Sequence, residues 1–422
     1  MAIPTATVWR VRIGGNENNG GGFVPGGQGV DRSQQDAAHA SGVNLTVDSS
    51  VNTDVTPDGH TPDTADVNNI IQITAGAGFT PGAYHIVSIQ SGKWRLDRSP
   101  AAVGTGGGVW SLGGALATPG KAGGLHVGGN LIYVDSGTYT FTTGDNNVSN
   151  GRITLAAGGA SFTRLEGNPA SRPIFQWDSN ISARLVTMGG NNVVRGIRFA
   201  GNAAHGNTGA ITRGWHVQEI LNCEFTNWQS LWAIAGTYVG NITDCYFYNC
   251  KGVSAASWPT IRHCVMKNCQ WAVSRGVFDT DGNTRTEWDE CIFTGGERCF
   301  RIQSGAIAVL RKCIFYGIAG TGGKENAIGY QTNNTGVVDV DSCIFENVVG
   351  YGVAGGTNGR VRLLNCAHYN CGGLHDGAVV EEVGTIAGTH SFFVDPAHGD
   401  FNINNVAGGG ALLRSLTKAL AA

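Results

Sequence analysis

Apolar and polar positions alternate with a period of two in a short segment that recurs seven times in the second half of the chain. The copies read ILNCEFTNW (220–228), ITDCYFYNC (242–250), IRHCVMKNC (261–269), WDECIFTGG (288–296), LRKCIFYGI (310–318), VDSCIFENV (340–348) and LLNCAHYNC (363–371). Cys223, Cys245, Cys264, Cys291, Cys313, Cys343 and Cys366 share one column, at spacings of 22, 19, 27, 22, 30 and 23 residues. Three residues earlier stands Ile220, Ile242, Ile261, Trp288, Leu310, Val340 or Leu363; two residues later, Phe225, Phe247, Met266, Phe293, Phe315, Phe345 or His368. Polar residues mostly fill the position between. An earlier copy, VRGIRFAGN (194–202), has Ile197 in the cysteine column. Such alternation describes a strand with one buried face. Its return every 19 to 30 residues makes each copy one coil of a parallel β-solenoid.

The column four residues after the cysteine holds Asn227, Asn249, Asn268, Gly295, Gly317, Asn347 and Asn370. Asn and Gly accept left-handed backbone geometry most readily, so this column predicts a tight bend repeated in every coil. Stacked Asn side chains can hydrogen-bond from coil to coil. The cysteine column then reads as small, adaptable apolar side chains filling a narrow core. Cys245, Cys250, Cys264 and Cys269 give C-x4-C-x13-C-x4-C, which only loosely matches a zinc spacing, and the column continues through coils that lack the second cysteine.

Composition narrows the class. Of 422 residues 66 are Gly, 14% are charged and 41% are hydrophobic, which excludes global disorder. The glycines follow no three-residue period and there are only 11 Pro, which excludes collagen. No apolar run approaches the roughly 18 residues of a membrane span, and residues 1–12 do not read as a secretory signal. A net charge of −3 without a basic stripe argues against nucleic acid as a partner. All 11 cysteines lie between Cys223 and Cys371; an odd count without a signal speaks against a disulfide framework.

With these columns in place, the chain resembles the right-handed parallel β-helices of the pectate-lyase-like superfamily. NLIYVDSGTYTF (130–141) is similar to their opening coil, FFVDPAHGDFNI (392–403) to their closing coil, and residues 8–38 to their N-terminal strand and Gly/Asn-rich loop. The organisation expected is a capping segment over 1–40, a small β-rich insertion or attachment domain over 41–125, the β-helix over 126–405 and a tail over 406–422. In that tail Leu412, Leu413, Leu416 and Leu420 predict a short capping helix. The N-terminal wording and GGVWSLGGAL (107–116) resemble β-helix proteins of tailed bacteriophages. That resemblance implies a virion component (tail spike, fibre or head decoration) assembled in host cytoplasm as a homo-oligomer, with a trimer favoured. Its partners would be other virion proteins or host-surface polysaccharide, with neither nucleic acid nor membrane insertion involved.

Candidate chemistry is sparse. Asp279, Asp281, Glu287, Asp289 and Glu290 gather in the long coil between Cys264 and Cys291, and Asp279, Asp281 and Asn283 loosely resemble a calcium loop. The plainer reading is a solvated acidic loop, with no cofactor. Asp339 and Asp341 should share an outward strand face, with Glu346 in the same coil. They are the alternative carboxylate pair for a depolymerase, hydrolase or lyase. The superfamily's N-x-D, D-D, G-H-G and R-x-K signatures do not appear in these coils. His205, His263 and His368 are isolated, and His368 stands in the inward aromatic column. Trp232, Trp258 and Trp271 offer a sugar-stacking surface, whereas Trp228 falls in a column expected to be buried. The favoured reading is a non-enzymatic virion protein that uses a rigid β-helix for attachment or glycan binding. A polysaccharide-degrading enzyme is the alternative.

Overall fold

The computed structural model describes residues 3–141, 153–156, 161–177, 185–201, 210–213, 218–228, 233–236, 240–251, 253–255, 260–269, 278–280, 285–302, 305–320, 325–330, 335–355, 358–377 and 379–414. The chain divides into two compact units, Met1–Phe199 and Ala200–Ala422. Among the described residues no helix is long and apolar enough to cross a membrane.

In the second unit each repeat is one coil of a right-handed parallel β-helix with three faces. Its first sheet runs from Gln218–Leu221 through Arg285–Asp289, Ile307–Arg311 and Val337–Asp341 to Val379–Val383. The second sheet runs from Glu224–Thr226 to Ile386–Ala387, and the third from Ile211–Arg213 to Gly373–Asp376. Parallel pairing places Ile220, Ile242, Ile261, Trp288, Leu310, Val340 and Leu363 opposite one another, all buried. In the second sheet Phe225, Phe247, Met266, Phe293, Phe315, Phe345 and His368 form the matching file. Strand spacing sets ring spacing. Phe225–Phe247, Phe293–Phe315 and Phe315–Phe345 each stack at 4.8 Å with interplanar angles of 10° or less, and each buried ring contributes roughly 1.5–3 kcal/mol.

Two left-handed residues turn each of the seven cysteine-bearing coils. One is the anticipated column, from Asn227 (φ 61°) to Asn370 (φ 48°), with Gly295 and Gly317 at 64° and 65°. Asn249 Nδ2 donates to Asn227 Oδ1 at 3.0 Å, and Asn370 Nδ2 to Asn347 Oδ1 at 2.6 Å. The other lies immediately before the cysteine, at Asn222, Asp244, His263, Glu290, Lys312, Ser342 and Asn365, with φ between 50° and 56°. Glu and Lys are strained there by about 1 kcal/mol or more. Their backbone N–H groups nevertheless stay in the ladder, Glu290 to the Arg311 carbonyl and Lys312 to that of Asp341, each at 3.0 Å.

The cysteines of the column are buried free thiols. Cys245, Cys264, Cys291, Cys313 and Cys366 each lie 3.6–3.7 Å from a carbonyl oxygen of the preceding coil, within reach of a weak S–H donor. Burial pushes the thiols of Cys245, Cys250, Cys264, Cys299 and Cys313 well above their usual pKa, and that of Cys269 up to about 12. Trp228 is buried in the same file as Cys250 and Cys269.

The first unit opens with the strand Val8–Val11, antiparallel to Gly22–Phe23 and parallel to Leu131–Val134. Leu131–Val134 in turn pairs with Thr163–Gly167. The runs within 41–125 fold as a closed six-stranded antiparallel barrel. Its strands are Ala40–Val47, Asp54–Thr56, Lys93–Leu96, Gly82–Gln90, Ile70–Ala75 and Gly108–Leu112. Leu45, Ile71, Ile86, Trp94, Trp110 and Leu112 fill it. Asp66 is fully buried against that core and accepts from Trp94 Nε1 at 2.9 Å, with His60 Nε2 at 2.7 Å.

At the C-terminal end, Phe393–Asp395 and Asp400–Ile403 form an antiparallel hairpin, turned by Pro396–His398 and the left-handed Gly399. Helical geometry begins at Gly410 and runs to Arg414, with Leu413 packed against Phe392 and Phe393; residues 415–422 lie outside the described residues.

Two outcomes test this account. Gly317→Asn should leave the urea midpoint almost unchanged, whereas Gly317→Ala should cost about 1 kcal/mol, because a Cβ there has room but the wrong φ. Gly295→Ala should cost more, since its Cβ would fall 2.4 Å from Asn268 Oδ1. In thiol labelling at pH 8 the native chain should offer only Cys371, the one cysteine that is not fully buried, and all 11 once unfolded.

Candidate functional site

The outward face of the first sheet carries most of the expected acids. Alternation in RTEWD turns Thr286 and Trp288 inward, so Glu287 and Asp289 project from the strand Arg285–Asp289 rather than from a loop. This corrects the expectation of an acidic loop over that stretch. Glu287 pairs with Arg285 Nε at 2.9 Å and with Arg311 Nη1 at 3.9 Å. Asp289 lies in register between Arg262 and Arg311, and Arg311 lies between Asp289 and Asp341. Asp339 and Asp341 both face outward, with Arg362 beside Asp339 in the next coil. Glu290, at the bend, meets Lys312 Nζ at 2.9 Å and His263 Nε2 at 3.4 Å; the Lys312 ammonium lowers its carboxyl pKa.

Cations thus separate these carboxylates coil by coil. The pattern ties neighbouring coils together through opposite charges in register. Asp279 falls on the strand Phe278–Thr280 of the third sheet. Asp281, Asn283, His205, Trp232, Trp258 and Trp271 lie outside the described residues.

Glu346 does not join Asp339 and Asp341. It stands on the outer face of the second sheet, in register with Tyr316 and Tyr369, and is only 1% exposed. The terminal hairpin buries it. Glu346 Oε1 accepts from Ser391 Oγ at 2.7 Å and Oε2 from the Phe392 N–H at 3.0 Å. Asn404 holds the same segment, donating to the Ser391 and Phe393 carbonyls at 2.8 Å each.

The hairpin also explains a misread column. The residues between cysteine and Phe are not mostly polar: Tyr246, Val265, Ile292, Ile314 and Ile344 form an outward apolar file. Phe393, Phe401, Ile403 and Leu413 pack over its Ile314 and Ile344 end. The Tyr246, Val265 and Ile292 end remains as the floor of a groove of about 380 Å³, within the range of small-ligand sites. Lys267, Asn268, Thr294 and Tyr316 line one side, and Pro396, Gly399 and Phe401 of the hairpin the other. Tyr316 and Phe401 meet edge to face at 5.8 Å. Among the described residues the lining holds no carboxylate, and Lys267 has no ion-pair partner. Aromatic faces, amide and hydroxyl groups and one ammonium can stack on and hydrogen-bond a polyhydroxylated ligand, but they cannot perform paired acid–base chemistry. The apolar file was the sequence signal for this site.

A larger open depression of about 820 Å³ lies beside the barrel, but its carboxylates are engaged. Asp36 pairs with Arg12 Nε at 2.9 Å. Asp58 accepts from Trp110 Nε1 and from the Val43 and Asn44 N–H groups, and the Trp110 bond leads in lowering its pKa.

The charge ladder makes a testable statement. Arg311→Ala leaves Asp289 and Asp341 without the guanidinium between them and should cost about 0.5–1 kcal/mol at pH 7. Urea unfolding at rising salt should show the deficit shrinking, since the lost interaction is between partly exposed charges.

No family model and no curated protein matches the chain. Among solved structures it is similar to ORF18 of Geobacillus virus E2, at 12% identity and TM-score 0.39, over 61% of this chain and 54% of that one. It is similar to pectate lyase Pel9A at 14% identity and TM-score 0.42, covering 67% and 78% of the two chains. The catalytic domain of a GH87 α-1,3-glucanase matches at 10% identity and TM-score 0.33, over 83% and 87%. The chain thus spans about half the length of the Geobacillus virus protein. The fold, three long sheets of parallel strands wound coil upon coil, is a parallel β-helix.

Proposed function

We propose that this chain is a non-enzymatic attachment component of a bacteriophage particle, a rigid β-helix that holds a surface polysaccharide in the groove under its terminal hairpin. One observation carries the reading: the groove is lined by Tyr246, Tyr316, Phe401, Asn268 and Lys267 and by no carboxylate among the described residues. The outward acids elsewhere are interleaved with Arg and Lys, which favours binding over cleavage. The N-terminal resemblance to phage β-helix proteins supports the particle assignment, and the barrel at residues 40–112 supplies a separate body for docking to other virion proteins.

Mass spectrometry of purified particles should find the chain, and the recombinant protein should retain host polysaccharide on a column without releasing reducing ends or unsaturated sugars. Absence from every particle would overturn the virion assignment. Sugar release that is lost on Asp289→Ala or Asp341→Ala would establish the polysaccharide-degrading alternative instead.

A further inference from the structure

We infer that Glu346 is the positioning residue of the groove: its carboxylate, remote from the ligand, fixes the hairpin that forms one wall. The inference rests on the glycan-binding reading above and adds to it how the site is held in shape. A carboxylate is among the least buried of side chains, and burying one without partners costs several kcal/mol. Glu346 is nevertheless 1% exposed, on the outer face of a sheet, where an uncommitted acid would remain in water.

Both of its oxygens are used at the root of the hairpin. One accepts the Ser391 hydroxyl and the other the Phe392 backbone N–H, so the carboxylate grips main chain and side chain of adjacent residues. From that root the hairpin runs back along the sheet. Phe401 reaches Tyr316, and Pro396, Ala397 and Gly399 reach the groove above Val265 and Ile292. Glu346 itself does not line the groove. A displacement at the root is therefore delivered to the wall, several residues away, through a short hairpin closed by the Phe393–Ile403 and Asp395–Asp400 pairs.

Asn404, just past the far strand, secures the same segment by donating to the Ser391 and Phe393 carbonyls at 2.8 Å each. The hairpin therefore keeps its internal structure when Glu346 is removed, and its seat on the sheet is weakened to the apolar packing over Ile314 and Ile344. An amide at this position accepts through one oxygen only, so Glu346→Gln should retain part of the grip.

The test pairs hydrogen–deuterium exchange over residues 391–403 with binding of alginate, dextran and a cell-wall teichoic acid, in the full-length protein and its variants. Glu346→Ala should deprotect the hairpin and weaken binding of whichever polymer the unaltered protein takes, by about tenfold. Glu346→Gln should fall between. Tyr316→Ala should abolish binding while the hairpin root at 391–393 stays protected, which separates loss of a contact from loss of the wall. Unchanged protection in Glu346→Ala would overturn the inference, as would a deprotected hairpin with unchanged affinity. Failure of the unaltered protein to bind any of the polymers would overturn the glycan-binding reading, and with it the positioning role, while the exchange data would still report whether Glu346 seats the hairpin.

Discussion

Strand stacking in register, one coil on the next, is the constraint from which the rest of this molecule follows. Parallel pairing brings the same position of every repeat to within one strand spacing, about 4.8 Å, of its counterpart. The Phe rings that stack at 4.8 Å are that spacing made visible in side chains. A column must therefore tolerate itself. Apolar rings, thiols and amides do so; like charges do not, and on the first sheet acids alternate with Arg262, Arg311 and Arg362. The low charge content of the chain expresses the same rule.

The rule also decides what was legible in the sequence. Columns that repeat one chemistry were readable: the cysteines, the aromatics, and the Asn/Gly file whose left-handed φ follows from residue type alone. The bend before each cysteine was not, because Asn, Asp, His, Glu, Lys and Ser share no obvious preference and only the common backbone geometry unites them. Glu290 and Lys312 adopt it because the ladder on either side leaves the chain no other path. The barrel was visible as strand-like runs, but its closure depends on pairings such as that of Ala40–Val47 with Gly108–Leu112, which no local pattern announces.

The candidate site was hidden for a different reason. Val265, Ile292, Ile314 and Ile344 looked like positions that alternation should make polar, and only a segment up to about 140 residues further along the chain explains them. Glu346 shares a coil with Asp339 and Asp341, as the sequence reads, but faces another sheet, since a single bend lies between them. The three faces of the coil are thus specialised. One is tied by charge and one is covered by a hairpin. Proximity in sequence is a poor guide to which face a residue joins.

The file of free thiols has a consequence for the life of the molecule. Closed coils keep these sulfurs buried and shielded from oxidants. An opened chain outside a reducing cell presents up to eleven thiols at once, held at close intervals along one stretch of sequence, with many wrong partners to choose from. Oxidation then makes unfolding irreversible. Under oxidising conditions durability is then a matter of never opening, so a high barrier to losing the first coil counts for more than the depth of the folded minimum.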